Sequence, residues 1–514
     1  MSETAVASRK GIFARRSMPA AILLGALAAL GQAPVGLPWA TLAALALVFR
    51  FFVLTSTVRG AAWIGWSFGA GYFAASLFWI VEPFFVDIAR HGWMAPFALV
   101  FMAGGFALFW GAAFALAHWI GRGTGRWGQA VAFALALAFV ELTRSYILTG
   151  FPWAMIGHVW VGWGPMQLVA WVGPVGLSVL TVLAAALASA AWPSWRRGGL
   201  ALLPFAVLYG LGMWQAAQPV PAVESPQVVR LVQPNAAQHL KWDPDHATTF
   251  FRRQLEYTAA GADGRPDLVI WPETAIPTVL NNAEPLLMRV AQAAGGVPVV
   301  LGIQRWEGRD AFNSLIVLDG DGVVADLYDK YHLVPFGEYL PLSSMFDTVG
   351  MTLFGSSMGF GYSSGPGPQL LDLGPLGSAL PLICYEAIFP QDVNAAPARP
   401  GWLLQITNDA WFGKVSGPYQ HLAQARLRAV EQGLPMVRAA NTGVSAVIDA
   451  RGEIVASIPL NEAGWIDSSL PSPLPPTIYA NTGDWPVFFV LLAGLSGLIV
   501  LRRRNAIDAS SPQR

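Results

Sequence analysis

Long apolar runs separated by short polar breaks fill the first 217 residues and return once near the C-terminus. A helix that crosses ~30 Å of hydrocarbon needs about 20 mostly apolar residues at ~1.5 Å of rise each. Seven stretches meet that need before residue 218, at 18–34, 36–55, 60–82, 93–118, 128–148, 164–190 and 199–217, and an eighth runs from Trp485 to Leu501. Between Val220 and Asp484 the pattern changes to short β-rich runs broken by Gly, Pro and Asp. These predict strands at 228–233, 267–272, 298–303, 313–319, 323–328, 378–384, 402–407, 436–440, 443–449 and 453–458. Apolar periodicity predicts helices at 246–260, 284–295 and 418–433. Strand–helix alternation mixed with hairpins, as at Val447 to Glu453, indicates a layered α/β domain large enough to bury its own core.

Composition agrees with two bodies in one chain. Charged residues make up only 12% of the 514, about half the share usual in soluble proteins. With 54% hydrophobic residues, 22 Trp and a mean hydropathy of +0.47, disorder, a coiled coil and an ordinary cytosolic enzyme are excluded. The formal charge of zero conceals a division. Of the 31 acidic residues 26 lie between Val220 and Asp484 with only 15 Lys and Arg, so that stretch carries −11 and the remainder +11. No basic patch for nucleic acid is present.

Lys and Arg in short loops set membrane orientation. Lys10, Arg15 and Arg16, then Arg50 and Arg59, Arg122 and Arg126, Arg196 and Arg197, and Arg502 to Arg504 fall on alternate loops. Both termini are therefore expected in the cytoplasm and the segment 218–484 outside it. The expected domains are a membrane domain at 1–217, an extracytoplasmic domain at 218–484, and a last span with a cytoplasmic tail at 485–514. Gly31 and Ala33 resemble a signal-peptide cleavage site, but Pro34 would follow the cut directly, which favours retention of the first span. Glu141 and Arg144 share one helical face. Intramembrane charges mark function by default, and a neutralising ion pair near the outer interface is the simpler reading.

Cys384 is the single cysteine. It can form no intrachain disulfide, so taken alone it is either a buried apolar residue or a reactive thiol. It closes the apolar run Leu382-Ile383-Cys384-Tyr385-Glu386, with Pro390 beyond, where a nucleophile would be presented on a strand-to-loop turn. A thiol needs a base or a cation to react at neutral pH, and two other strand ends supply them. Glu273 follows Val269-Ile270-Trp271-Pro272, and Lys330 stands in Tyr328-Asp329-Lys330-Tyr331-His332. In that arrangement Glu273 takes the thiol proton, Lys330 stabilises the thiolate and then the oxyanion, and a backbone N–H after Cys384 assists.

Glu, Lys and Cys, each just after a strand and in that order, resemble the triad of the nitrilase superfamily, whose fold is an α-β-β-α sandwich. Longer words narrow the resemblance to the bacterial apolipoprotein N-acyltransferases. They are Trp271-Pro272-Glu273, the run from Asp329 through Val334-Pro335-Phe336-Gly337-Glu338-Tyr339, Cys384-Tyr385-Glu386, Thr407-Asn408-Asp409-Ala410-Trp411-Phe412-Gly413, Gln420-His421-Leu422 and Thr149-Gly150-Phe151-Pro152-Trp153. Tyr331 departs from the pattern, standing where a basic residue is expected.

The resemblance implies a multi-pass protein of the bacterial inner membrane, with seven spans, a periplasmic nitrilase-like domain and one further span. It implies transfer of an acyl chain from a phospholipid to the α-amino group of a diacylglyceryl-modified apolipoprotein through a Cys384 thioester. No cofactor or metal is implied. Glu338 is expected to support Lys330, Tyr385 and Glu386 to shape the pocket, and Trp242 to line its entrance, although Glu386 also reads as solvent-facing and Trp242 as packed on the first helix. Residues 343–365, rich in Gly, Ser and large apolar side chains, read as a mobile lid over the acyl pocket, with packing into the domain core as the alternative. The rival readings are a membrane-tethered amidohydrolase with the same triad and a transporter with an outer binding domain. The near absence of charge from the spans argues against the transporter.

Overall fold

The computed structural model describes residues 17–192, 195–221, 227–261, 264–341 and 361–510. The chain divides into two compact units, one of Met1–Val81, Met94–Gln218 and Asn481–Arg514, the other of Glu82–Trp93 and Pro219–Ala480.

The first unit is helical, and each of the eight apolar stretches carries a helix. They are α1 (Ser17–Ala29), α2 (Pro38–Leu54), α3 (Val58–Ser76), α4 (Ala95–Gly121), α5 (Gly125–Tyr146), α6 (Val169–Ala191), α7 (Trp195–Ala216) and, after the second unit, a C-terminal helix at Trp485–Ser510. Among the described residues three helical segments are long and apolar enough to cross a membrane: Ile88–Gly121, Gly164–Ala191 and Trp485–Asp508. A fourth is reached if α3 and the 3-10 segment Phe78–Phe85, bent by 46° from it, count as one span. The α1–α3 crossing depends on glycine. A Cβ on Gly25 would lie 2.0 Å from the Phe68 carbonyl oxygen, and one on Gly71 1.9 Å from that of Ile22, so small residues let the two backbones touch.

Glu141 and Arg144 differ from the simpler expectation. Both are buried, and no ion pair joins them among the described residues. Each instead serves the irregular backbone that follows α5. Glu141 Oε1 accepts from Ile156 N at 3.0 Å, and Arg144 donates to the carbonyls of Phe151 and Trp153. A non-helical segment among apolar helices must find partners inside the protein for its N–H and C=O groups, and these two side chains supply them.

The second unit is a sandwich of two six-stranded sheets. One has the order β12-β1-β2-β3-β4-β5, from Gly464–Ser469, Val228–Gln233, Leu268–Ile270, Val299–Glu307, Asp310–Leu318 and Val324–Asp329. The other has the order β11-β10-β9-β8-β7-β6, from Ile454–Ile458, Ser445–Ile448, Met436–Ala440, Trp402–Thr407, Ser378–Ile383 and Leu371–Asp372. Read from β12 and from β6, both sheets show one antiparallel, two parallel and two antiparallel pairings. The two halves thus repeat one pattern.

The period-2 alternation of a strand assigns each side chain a layer. Leu268, Ile270, Ala379 and Ile383 face the core between the sheets. Val269 and Trp271 face outward onto α8 (Pro244–Ala259) and α9 (Glu284–Ala294), while Leu380 and Leu382 face α10 (Gly417–Gln432). Strands covered on both faces read as continuous apolar runs, which is why their positions were legible. The result is the α-β-β-α architecture that the resemblance implies. Two strands escaped the sequence pattern, the two-residue β6 and β12. The latter, Gly464-Trp465-Ile466-Asp467-Ser468-Ser469, is held to β1 partly by a bidentate pair, with Arg230 Nε at 2.7 Å and Nη2 at 2.8 Å from the Asp467 carboxylate.

Gly302 on β3 passes flush against the turn after β2. A Cβ there would lie 2.5 Å from Thr274 N and 2.6 Å from Glu273 Cα. Overpacking of this kind costs about 1–3 kcal/mol. Gly302→Ala should therefore lower the apparent Tm of the detergent-solubilised protein by several degrees, whereas Gly105→Ala, with nothing within 4 Å of its Cβ, should not lower it. Equal behaviour of the two variants in a thermal melt would contradict the close approach.

Candidate active site

Three strand ends bring the sequence-predicted residues together. Glu273 follows β2, Lys330 follows β5 directly, and Cys384 follows β7 at the start of a 3-10 turn, Cys384–Ile388. All three are buried, at 6%, 1% and 6% exposure. The turn residues are strained. Thr274 has φ 47° and Cys384 φ 52°, a left-handed region that costs a non-glycine residue about 1 kcal/mol or more and that clusters at functional sites.

The Lys330 ammonium lies between two carboxylates, 2.8 Å from Glu338 Oε1 and 4.0 Å from Glu273 Oε1. Asn313 on β4 ties the cluster together, its Nδ2 donating to Glu273 Oε1 at 2.7 Å and to Glu338 Oε1 at 3.2 Å. Its carbonyl also accepts from Lys330 N at 2.9 Å. Glu338 Oε2 is held by Val334 N at 2.8 Å. Burial opposes the lysine charge, but the charges of Glu338 and Glu273 outweigh it and hold the ammonium above the ordinary lysine range. Burial and then the Glu273 charge push the Cys384 thiol up, against the pull of Lys330. A thiol held up in this way needs a base or a cation to react near neutral pH, and Glu273 and Lys330 both lie within its electrostatic reach.

Glu386 does not face solvent. It is 2% exposed and accepts four donors, with Oε1 taking Tyr328 Oη at 2.6 Å, Tyr331 N at 2.7 Å and His332 N at 3.2 Å, and Oε2 taking Ile383 N at 2.6 Å. This carboxylate joins the turn that begins with Cys384 to the segment carrying Lys330. Burial pushes its carboxyl up to about 7 against these donors. Tyr385 is buried among the rings of His332 and Phe389, at 5.7 and 4.9 Å between centroids.

Trp242 lines a pocket together with Phe250 of α8 and with Pro272 and Thr274, the neighbours of Glu273 in sequence. Its neighbour Lys241 was not anticipated. The Lys241 ammonium is buried, donates to Glu273 O at 3.1 Å and Thr274 Oγ1 at 2.6 Å, and is pushed down to about 8 by burial. It braces the strained turn that presents Glu273. Asn313 was also missed, although a lone Asn beside the apolar run Leu315-Ile316-Val317-Leu318 of a buried strand was a visible signal. Of the expected lid, residues 343–360 lie outside the described residues. Its end is anchored at the site, where Tyr362 N donates to Glu338 O at 2.7 Å and Gly365 N to Lys330 O at 2.9 Å.

Residues 228–474 match a carbon-nitrogen hydrolase family model, and residues 24–187 match the N-terminal domain model of apolipoprotein N-acyltransferase. The apolipoprotein N-acyltransferase of Caulobacter vibrioides is 39% identical over 96% of this chain and 95% of its own length. That of Rhodopseudomonas palustris is 37% identical over 94% and 95%. Among solved structures, an amidase from Nesterenkonia sp. aligns with 53% of this chain and 98% of its own at 21% identity, with a TM-score of 0.38.

The titration of Glu386 gives a pH signature. Its folded carboxyl titrates near 7 and an unfolded one near the ordinary 4.5, so between those values the folded chain holds the extra proton. Its contribution to stability therefore falls as pH rises from about 4.5 to 7, and the cost of the buried charge is complete above 7. Glu386→Gln has no such titration. The difference in unfolding free energy between parent and variant should change with pH across that window and stay level outside it. A difference independent of pH would contradict the buried, titrating carboxylate.

Proposed function

The chain belongs to the apolipoprotein N-acyltransferase family, and from that premise we propose that it moves an acyl chain from a membrane phospholipid to the α-amino group of a diacylglyceryl-modified apolipoprotein. Cys384 is the nucleophile, Glu273 the general base and acid, and Lys330 the electrostatic stabiliser. The observation that carries this reading is the buried cluster in which Lys330 Nζ lies 2.8 Å from Glu338 and 4.0 Å from Glu273 within electrostatic reach of the Cys384 thiol.

The reaction proceeds in two halves. Glu273 takes the thiol proton as sulfur attacks the ester carbonyl carbon, and the developing oxyanion faces the Lys330 ammonium and the N–H of Tyr385. The tetrahedral intermediate expels the lysophospholipid alkoxide, which takes the proton back from Glu273 and leaves a thioester on Cys384. The acceptor amine then attacks that thioester, Glu273 takes its proton, and the departing Cys384 thiolate recovers it. Glu338 and Asn313 keep Lys330 charged and aimed. The steps consume no cofactor, and a covalent intermediate spares the pocket from holding two lipids together.

For orientation we adopt eight spans, cytoplasmic termini and a periplasmic domain at 218–484 in the inner membrane, a reading supported by the alternation of basic loops. Both substrates are amphiphiles of the outer leaflet, and helices at both ends of that domain would hold it there. The carbon-nitrogen hydrolase match over residues 228–474 supports a second reading with the same triad, in which water accepts the acyl group.

Incubation of the purified protein with phospholipid and a diacylated lipopeptide should yield triacylated lipopeptide. Cys384→Ala, Glu273→Gln and Lys330→Met should each lower that yield by at least about 10³-fold while remaining folded in the membrane. Substantial transfer by Cys384→Ala would sink the mechanism, and free fatty acid as the sole product would favour water. A reporter fused after Gln218 should be active outside the cytoplasm and one after Arg504 inside it. A cytoplasmic signal at Gln218 would overturn the orientation.

A further inference from the structure

Behind the nucleophile lies a polar relay with no surface exposure. The carbonyl of Cys384 accepts from Gln405 Nε2 at 3.1 Å. Gln405 stands on β8 and is 0% exposed, as are His421, Asp409 and Arg438. Its amide cannot turn over, because Oε1 accepts from Arg438 Nη1 at 2.6 Å. The same Arg438 bonds Asp409 Oδ2 through Nη2, and Asp409 Oδ1 faces His421 Nδ1 at 2.9 Å. His421 Nε2 in turn lies 3.1 Å from Gln405 Nε2 and 3.0 Å from the Cys384 carbonyl oxygen.

The proton positions follow from charge. Burial alone would raise the Asp409 carboxyl, but Arg438 and His421 hold it down to about 2, so it can only accept. His421 Nδ1 therefore carries a proton. Burial and the Arg438 charge push the ring below the ordinary histidine range, while Asp409 and the Cys384 carbonyl draw it up. The Gln405 amide is held at both ends, Nε2 donating to the Cys384 carbonyl and Oε1 accepting from Arg438, and these two bonds fix its orientation.

A trans peptide is planar, and its C=O and N–H point in opposite directions. Fixing the Cys384 carbonyl toward the relay therefore fixes the Tyr385 N–H on the other side. This matters because Cys384 has φ 52°, a conformation that relaxes unless its surroundings hold it. We propose that Gln405, locked by the Arg438–Asp409–His421 relay, is a positioning residue for the oxyanion: it holds the strained peptide after Cys384 so that the Tyr385 N–H faces the developing negative charge. This rests on the reading of Cys384 as the nucleophile.

Two reactions of the same sulfur separate orientation of this donor from simple integrity of the site. Alkylation of Cys384 by iodoacetamide is a displacement that forms no oxyanion, whereas acylation by a p-nitrophenyl ester passes through one. Both rates are measured on the full-length protein in detergent for the parent, for Gln405→Leu, which loses both donors, and for Gln405→Glu, which keeps the volume and the acceptor for Arg438. In each variant acylation should fall by about 30- to 300-fold, since loss of one oxyanion donor costs ~10²–10³, while alkylation stays within about threefold of the parent. Unchanged acylation in both variants, or a parallel fall of acylation and alkylation in variants that elute as the parent does, would overturn the proposal. A parent that is alkylated at Cys384 but takes up no acyl group would instead refute the nucleophile reading itself.

Discussion

A single lysine ammonium, 1% exposed at the edge of a β-sandwich, sets the constraint on which the rest of the site depends. Moving such a charge out of water costs several kcal/mol, and only close, well-aimed opposite charge offsets it. The protein supplies two carboxylates and an amide from three different segments. Lys330 follows β5, Glu273 follows β2, Asn313 lies on β4, and Glu338 comes from the loop beyond Lys330, with Asn313 bonded to both carboxylates. The Lys330–Glu338 contact spans eight residues, but Glu273 and Asn313 come from distant strands, so the cation is fully satisfied only once β2 to β5 are paired.

The second sheet contributes the sulfur, and the two sheets are stitched where it matters. Glu386, two residues after Cys384, reaches across to Tyr328 and to the backbone of Tyr331 and His332. Cys384 and Lys330 therefore cannot drift apart without breaking three hydrogen bonds to a buried carboxylate. In the proposed reaction such rigidity is useful, because the sulfur, the base and the cation must act on one carbonyl carbon within a few tenths of an ångström. The strained conformations of Thr274 and Cys384 belong to the same design, and buried polar groups of Lys241 and Gln405 brace them.

Much of this was legible in the sequence, for identifiable reasons. Strands buried on both faces leave unbroken apolar runs, so among the described residues ten of the twelve strands and all three long helices of the sandwich could be read directly. The residues Glu273, Lys330 and Cys384 stand out because each polar side chain interrupts such a run at its end. What stayed hidden has no periodic signature. Asn313, Lys241 and Gln405 are single polar residues whose meaning lies in contacts 16 to 40 positions away along the chain, such as Asn313 with Glu273 and Gln405 with His421. β12 does not alternate because its pairing rests partly on an ion pair, Arg230 with Asp467. The spacing of Glu141 and Arg144 suggested that they pair, but the backbone of residues 151–156 competes for both and prevails.

The central claim is that Cys384 carries the acyl group between two lipids. Intact-mass spectrometry of the purified protein after incubation with phospholipid alone tests it most directly. The account predicts one acyl group per chain, mapped to Cys384, removed by hydroxylamine and discharged by a diacylated lipopeptide with a free N-terminus but not by its N-acetylated form. Transfer that proceeds with no adduct on Cys384, or an adduct that decays to free fatty acid equally fast with and without lipopeptide, would contradict it.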